Sequence, residues 1–130
     1  MINALMAVPE VIITSIERRS YARFQYWQRQ AVIYQSSISA NLYVRTDVTE
    51  PEMNWVSGIN MQLMALGTDL NLALVFSESQ WWVAQSFSTA WEYTDEHCRC
   101  RFLTQFNVAQ WLENELRSQP SPTGRSGFEV

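Results

Sequence analysis

The sequence predicts an α+β fold, and three observations carry that prediction. Thr49-Glu50-Pro51-Glu52 reads as a capping box ahead of Met53, Val56, Ile59, Leu63 and Leu66, which recur at three- and four-residue steps. Leu70, Leu72, Leu74 and Phe76 alternate with Asn71, Ala73 and Val75, the two-residue period of a strand. Val108, Trp111, Leu112 and Leu116 form a second helical stripe further along.

In chain order, the first element is expected to be an N-terminal helix from about residue 9 to near residue 30. Pro9 suits a first helical turn, and Ile13, Ile16, Ser20, Phe24, Trp27 and Ala31 fall three or four apart. The β-branched run Val11-Ile12-Ile13 would suit a strand as well. Ile38, Leu42 and Val44 among small polar residues then mark a strand. The middle helix follows, with Pro51 in its first turn and Gly67 as its left-handed stop.

Next comes a hairpin with Ser77-Glu78-Ser79-Gln80 as its polar turn and WWVAQSF as the returning strand. CRCRFL, residues 98–103, alternates again and is expected to be a further strand of a small antiparallel sheet. The C-terminal amphipathic helix is expected to start at Asn107. Gln110 would complete its capping box, and Phe106 would staple onto Trp111. Residues 1–119 are thus expected to form one α+β domain. Residues 120–130, rich in Pro, Gly and Ser, read as a flexible tail.

Composition narrows the function classes. Among 130 residues, 47% are hydrophobic, with six Trp, five Tyr and six Phe, a load that serves cores and binding surfaces alike. Lysine is absent, which excludes a Schiff-base amine and a phosphate-loop lysine. Residues 1–48 carry five Arg against three acids, and residues 49–130 four Arg against ten, summing to −4. Such a field repels polyanions over most of the chain. The apolar start lacks a basic leader and is broken by Pro9 and Glu10, so neither a signal peptide nor a membrane span is expected. Cys98 and Cys100 are too close for a comfortable disulfide, and reduced thiols point to the cytoplasm.

Three stretches stand out as candidate sites. RRSYARFQYWQRQ holds Arg18, Arg19, Arg23 and Arg29 beside Tyr21, Phe24, Tyr26 and Trp27. It is either a nucleic-acid grip or one amphipathic element with a solvated arginine side. His97-Cys98-Arg99-Cys100 offers too few ligands for structural zinc, so no metal is expected. One histidine, scattered glycines and no oriented base–nucleophile pair leave a weak case for catalysis, and no cofactor is implied. The aromatic pairs say most. Trp81 and Trp82 are neighbours on a strand and must face opposite ways. Trp55 lies off its helix stripe, and Trp91 and Tyr93 continue the aromatic segment. Together these five are the expected partner-binding residues, since exposed aromatic and arginine side chains anchor interfaces.

In size, acidity and helix–strand–helix–hairpin–helix order, the chain resembles the small dimeric chaperones of type III secretion. The resemblance is architectural, and the glycine-containing segment expected after their first helix is absent. It implies a non-catalytic, homodimeric protein-binding module with a specialised secretion or virulence role. A small adaptor or an inhibitor or immunity-like protein fits the same features. Two other classes stay open: an α+β cone enclosing a small ligand among its aromatics, and a nucleic-acid binder using the arginines of residues 18–29.

Overall fold

The computed structural model describes residues 10–17, 20–36, 39–66, 71–88 and 95–118, with the side chains of 87, 88 and 95–98 excepted. Six strands and two helices occupy them. The strands are β1 (Val11–Glu17), β2 (Tyr21–Tyr26), β3 (Arg29–Gln35) and β4 (Ser39–Arg45), then β5 (Leu72–Ser77) and β6 (Gln80–Ser88). Helix α1 (Met53–Ala65) separates β4 from β5, and α2 (Asp95–Ser118) follows β6. All pairings are antiparallel, in the spatial order β1-β2-β3-β4-β6-β5. The α+β class holds. The order of elements differs from the expected one.

Where an N-terminal helix was expected, the chain forms β1, β2 and the start of β3. The helical spacing came from strand irregularities. Ile13 and Ile16 are three apart because a bulge falls between Ile13 and Ser15, which returns Ile16 to the face of Ile13. Ser20 and Trp27 belong to turns, each of which resets the strand phase. Between those breaks the true period is two: Ala22 and Phe24 on β2, then Ala31 and Ile33 on β3, are buried.

Both two-residue hairpin turns use left-handed backbone at non-glycine residues. Trp27 and Gln28 have φ of 50° and 67°, and Glu78 and Ser79 of 53° and 62°. Positive φ at both central positions matches the right-handed twist of the flanking strands. The Ser77–Gln80 turn therefore forms where its polar residues placed it.

Two helix starts also differ. Helix α1 begins at Met53 with Glu52 as its cap residue, which makes no side-chain capping bond, so Thr49 does not close a box. Glu50, at φ 46°, turns the chain between Thr49 and the helix. Residues 98–103 are helical rather than a strand, and Asn107 lies inside α2 on its exposed side. The buried side of α2 runs through Phe102, Phe106, Ala109 and Leu112, while Trp111 falls on the outer flank. The alternation of Cys and Arg before Phe102 imitates a strand, but it ends where this longer period takes over.

One face of the sheet carries the core. Ala22, Phe24, Ala31, Ile33, Ala40, Leu42, Val44, Leu72, Leu74 and Val83 point to it and meet Val56, Ile59 and Leu63 of α1 and Phe102, Phe106, Ala109 and Leu112 of α2. Phe102 is central, its ring 5.6 Å from Phe24, 5.2 Å from Tyr26 and 4.6 Å from Phe106. Polar side chains within this layer are tied to backbone. The Gln105 amide donates to the carbonyls of Leu42 and Val83, each at 2.7 Å. Asn60 of α1 pairs with both backbone groups of Leu74 on the edge strand β5, accepting at 2.7 Å and donating at 3.2 Å. Such a cap occupies part of an edge that another chain would otherwise pair with.

Candidate functional site

The opposite face of the sheet is not covered by either helix. Strand alternation puts Arg23 of β2, Val32 and Tyr34 of β3, Tyr43 of β4, Val75 of β5 and Trp82 and Ala84 of β6 on it. These residues line a concavity of about 490 Å³, with Glu78 of the β5–β6 turn at its border. Val32 and Trp82 form its floor, each only 7% exposed. The Trp82 indole N–H donates to the Ser77 carbonyl at 2.9 Å, which fixes the ring along the sheet.

Three tyrosines from three adjacent strands form a row above that floor. Tyr21 and Tyr34 are directly opposed across β2 and β3, with ring centroids 5.0 Å apart. Tyr34 and Tyr43 meet edge to face at 5.9 Å. Arg23 lies over the Tyr21 ring at 5.8 Å and donates from Nε to the Tyr21 hydroxyl. That hydrogen bond, followed by the nearby charges, holds the guanidinium above its already high ordinary value. Burial pushes the Tyr34 phenol upward, with Tyr21 and Glu78 adding to the shift, so at neutral pH it stays a hydroxyl that donates and accepts. Among the described residues, the concavity thus offers the Arg23 cation, phenolic hydroxyls and an apolar floor. Such a surface can stack, exchange hydrogen bonds and attract an anion.

Of the residues singled out in the sequence, Trp81 and Trp82 do face opposite ways. Trp82 is on the helix-free face, whereas Trp81 is half-buried on the covered face beside Phe76. Trp55 is half-buried against the core. Trp91 and Tyr93 lie outside the described residues, as do Arg18 and Arg19. Among the described residues the exposed indoles are Trp27, in the β2–β3 turn, and Trp111.

Arg23 and Arg29 separate cleanly. Arg29 turns to the covered face and forms a bidentate pair with Glu113 of α2, both contacts at 2.7 Å. It also donates to the Arg45 carbonyl at 2.9 Å, and the Asp47 N–H donates to Glu113 at 2.6 Å. Burial alone would raise the Glu113 carboxyl, but the hydrogen bonds from Arg29 and Asp47 outweigh it and hold it below the ordinary carboxylate range. Arg29 is a structural clamp, whereas Arg23 joins the tyrosines; Arg45 also lies on the open face, opposite Trp82, and donates to Gln30 at 3.2 Å.

Cys100 is a free, exposed thiol on α2. Among the described residues no group of His, Cys, Asp and Glu could hold a metal ion, and no helix is long and apolar enough to cross a membrane. Sequence reasoning missed Tyr21, Tyr34 and Tyr43 as a set. Their signal was available in part: Tyr34 and Tyr43 stand at the non-core positions of strands whose other positions are Ala, Ile, Leu and Val. What the fold defines is an α+β domain with one helix-covered sheet face and one aromatic face. Comparison with protein-family models, curated proteins and solved structures gives no match for this chain.

Proposed function

We propose that the chain is a non-catalytic protein-binding module whose recognition surface is the helix-free sheet face. The observation that carries this reading is the concave tyrosine row with Arg23, set over Val32 and Trp82. A stable domain gains little by placing four aromatic rings and an arginine on the face that its helices leave open. Tyr, Trp and Arg are the residues that anchor protein interfaces. Arg23 selects a partner segment with a carboxylate, and its position on a net-negative chain concentrates the attraction at this face. A cytoplasmic adaptor, secretion-type chaperone or inhibitor-like role belongs to the same proposal.

The test is retention of proteins from native lysate on immobilised wild type and on Tyr34→Ser and Arg23→Glu variants. The proposal expects at least one protein held by wild type and lost from both variants. Identical retention by all three would refute it. The size of the concavity also favours a second reading, an enclosed small ligand. In that case mass spectrometry of native protein would find a bound small molecule in place of a partner chain.

A further inference from the structure

We propose that the outer face of α1 pairs with the same helix of a second copy of this chain, antiparallel across a twofold axis. This surface is distinct from the aromatic sheet face. Helix α1 buries Val56, Ile59 and Leu63, yet Met53, Met61 and Met64 are 66%, 71% and 77% exposed. At 100° per residue, Met53, Ser57, Met61 and Met64 share one outward stripe, with Asn54, Gly58 and Ala65 beside it. No charged residue occurs between Glu52 and Asp69. A solvent-facing helix without charge is unusual, and methionine suits adaptable contacts.

Three features favour a second copy over an unrelated partner. The chain carries a net charge of −4, so two copies repel on most surfaces, and this helix is a face where they meet without opposing charges. The stripe is also self-complementary. An antiparallel crossing near Ile59 sets Met61 against Ser57 of the second copy, with Met53 and Met64 on one flank of the contact and Asn54 and Ala65 on the other. That long-against-short pair occurs twice across the axis, since an isologous interface uses the same patch on both copies. In this orientation Glu52 meets the uncharged last turn of the other helix; a parallel crossing would oppose the two Glu52 side chains.

Gly58 supports the same crossing. A glycine weakens a helix interior, and among the described residues a Cβ added here would meet nothing within 4 Å, so none of them requires it. A close helix approach does. The three methionines expose roughly 400 Å² of apolar surface, and with the small residues around them two such faces would bury on the order of 1,000 Å², the lower bound for a specific interface. The expected dimer is therefore reversible and depends on protein concentration.

Sedimentation velocity from low-micromolar to near-millimolar protein tests the proposal. Wild type is expected to move from monomer to dimer over that range. Met61→Glu and Met64→Glu each place two carboxylates in the contact and should weaken the dimer on the order of 100-fold. Both sites are exposed, so both variants should keep the wild-type circular dichroism, and if one fails to fold the other decides. Tyr34→Ser should dimerise as wild type does. A monomeric wild type throughout, or methionine variants that dimerise normally, would overturn the pairing. Loss of dimer in Tyr34→Ser alone would move the twofold to the sheet, which separates failure here from failure of the recognition proposal.

Discussion

The two faces of the single sheet are built from the same strands, one residue out of phase, yet they differ in what their side chains touch. On the covered face Phe24, Ile33, Leu42, Val44 and Val83 are essentially fully buried against α1 and α2. One residue away, Arg23 contacts Tyr21, Tyr21 contacts Tyr34 and Tyr34 contacts Tyr43, a chain of contacts along the open face. A strand's two-residue period lets one segment hold the fold with one set of positions and present a surface with the other. It follows that truncation should be costly on the covered face and mild on the open one.

The largest effect is expected at the centre of the covered face. Phe102→Ala removes a ring that touches Phe24, Tyr26 and Phe106 and should destabilise by roughly 3–5 kcal/mol in denaturant titration. A loss near 1 kcal/mol would mean that the core is not organised around it. Breaking the Arg29–Glu113 clamp comes next. Arg29→Ala leaves the Glu113 carboxylate, only 3% exposed, without its cation and should cost about 3 kcal/mol.

The clamp also has a pH signature. The folded pKa of Glu113 is depressed, so its contribution is fully present above the ordinary carboxyl value of 4.5 and is lost as pH falls below it. In Glu113→Gln, the part of the acid-induced fall in melting temperature that comes from this group should vanish. An unchanged acid profile would show that the pair does not act as described.

Smaller changes sharpen the contrast. Asn60→Ala leaves the outward N–H and C=O of Leu74 without their partner and should cost about 1–2 kcal/mol, read by the same titration. Tyr34→Ser should cost about 1 kcal/mol or less, the worth of its ring contacts, because its side chain is half in solvent. Were Tyr34→Ser to destabilise as much as Phe102→Ala, the two faces would both be core and the functional division would fail.

How far the sequence reveals this architecture depends on how regular each element is. The β5–β6 hairpin was legible because Leu72, Leu74 and Phe76 keep strict alternation up to a polar turn. The body of α1 was legible from Val56, Ile59 and Leu63, although its start was not, since Glu50 adopts a left-handed conformation that no local residue signals. The N-terminal strands were hidden by the bulge beside Thr14 and by a Trp27–Gln28 turn without glycine or asparagine. Both shift the phase and so imitate helical spacing. The start of α2 was hidden by the Cys–Arg alternation. For the site, adjacency of Trp81 and Trp82 did reveal opposite faces, and Arg23 was among the residues singled out. The tyrosine row was not legible, because Tyr21, Tyr34 and Tyr43 become neighbours only through cross-strand register.

The central claim is that the open face is the recognition surface, and side-chain footprinting by hydroxyl radicals tests it most directly. The wild-type protein is labelled alone and with its captured partner, at equal protein concentration, and oxidation is read residue by residue. The account predicts that the partner protects Tyr21, Tyr34 and Tyr43 and leaves the labelling of Met61 and Met64 unchanged. Protection confined to the α1 methionines, with the three tyrosines labelled as in the free protein, would contradict it.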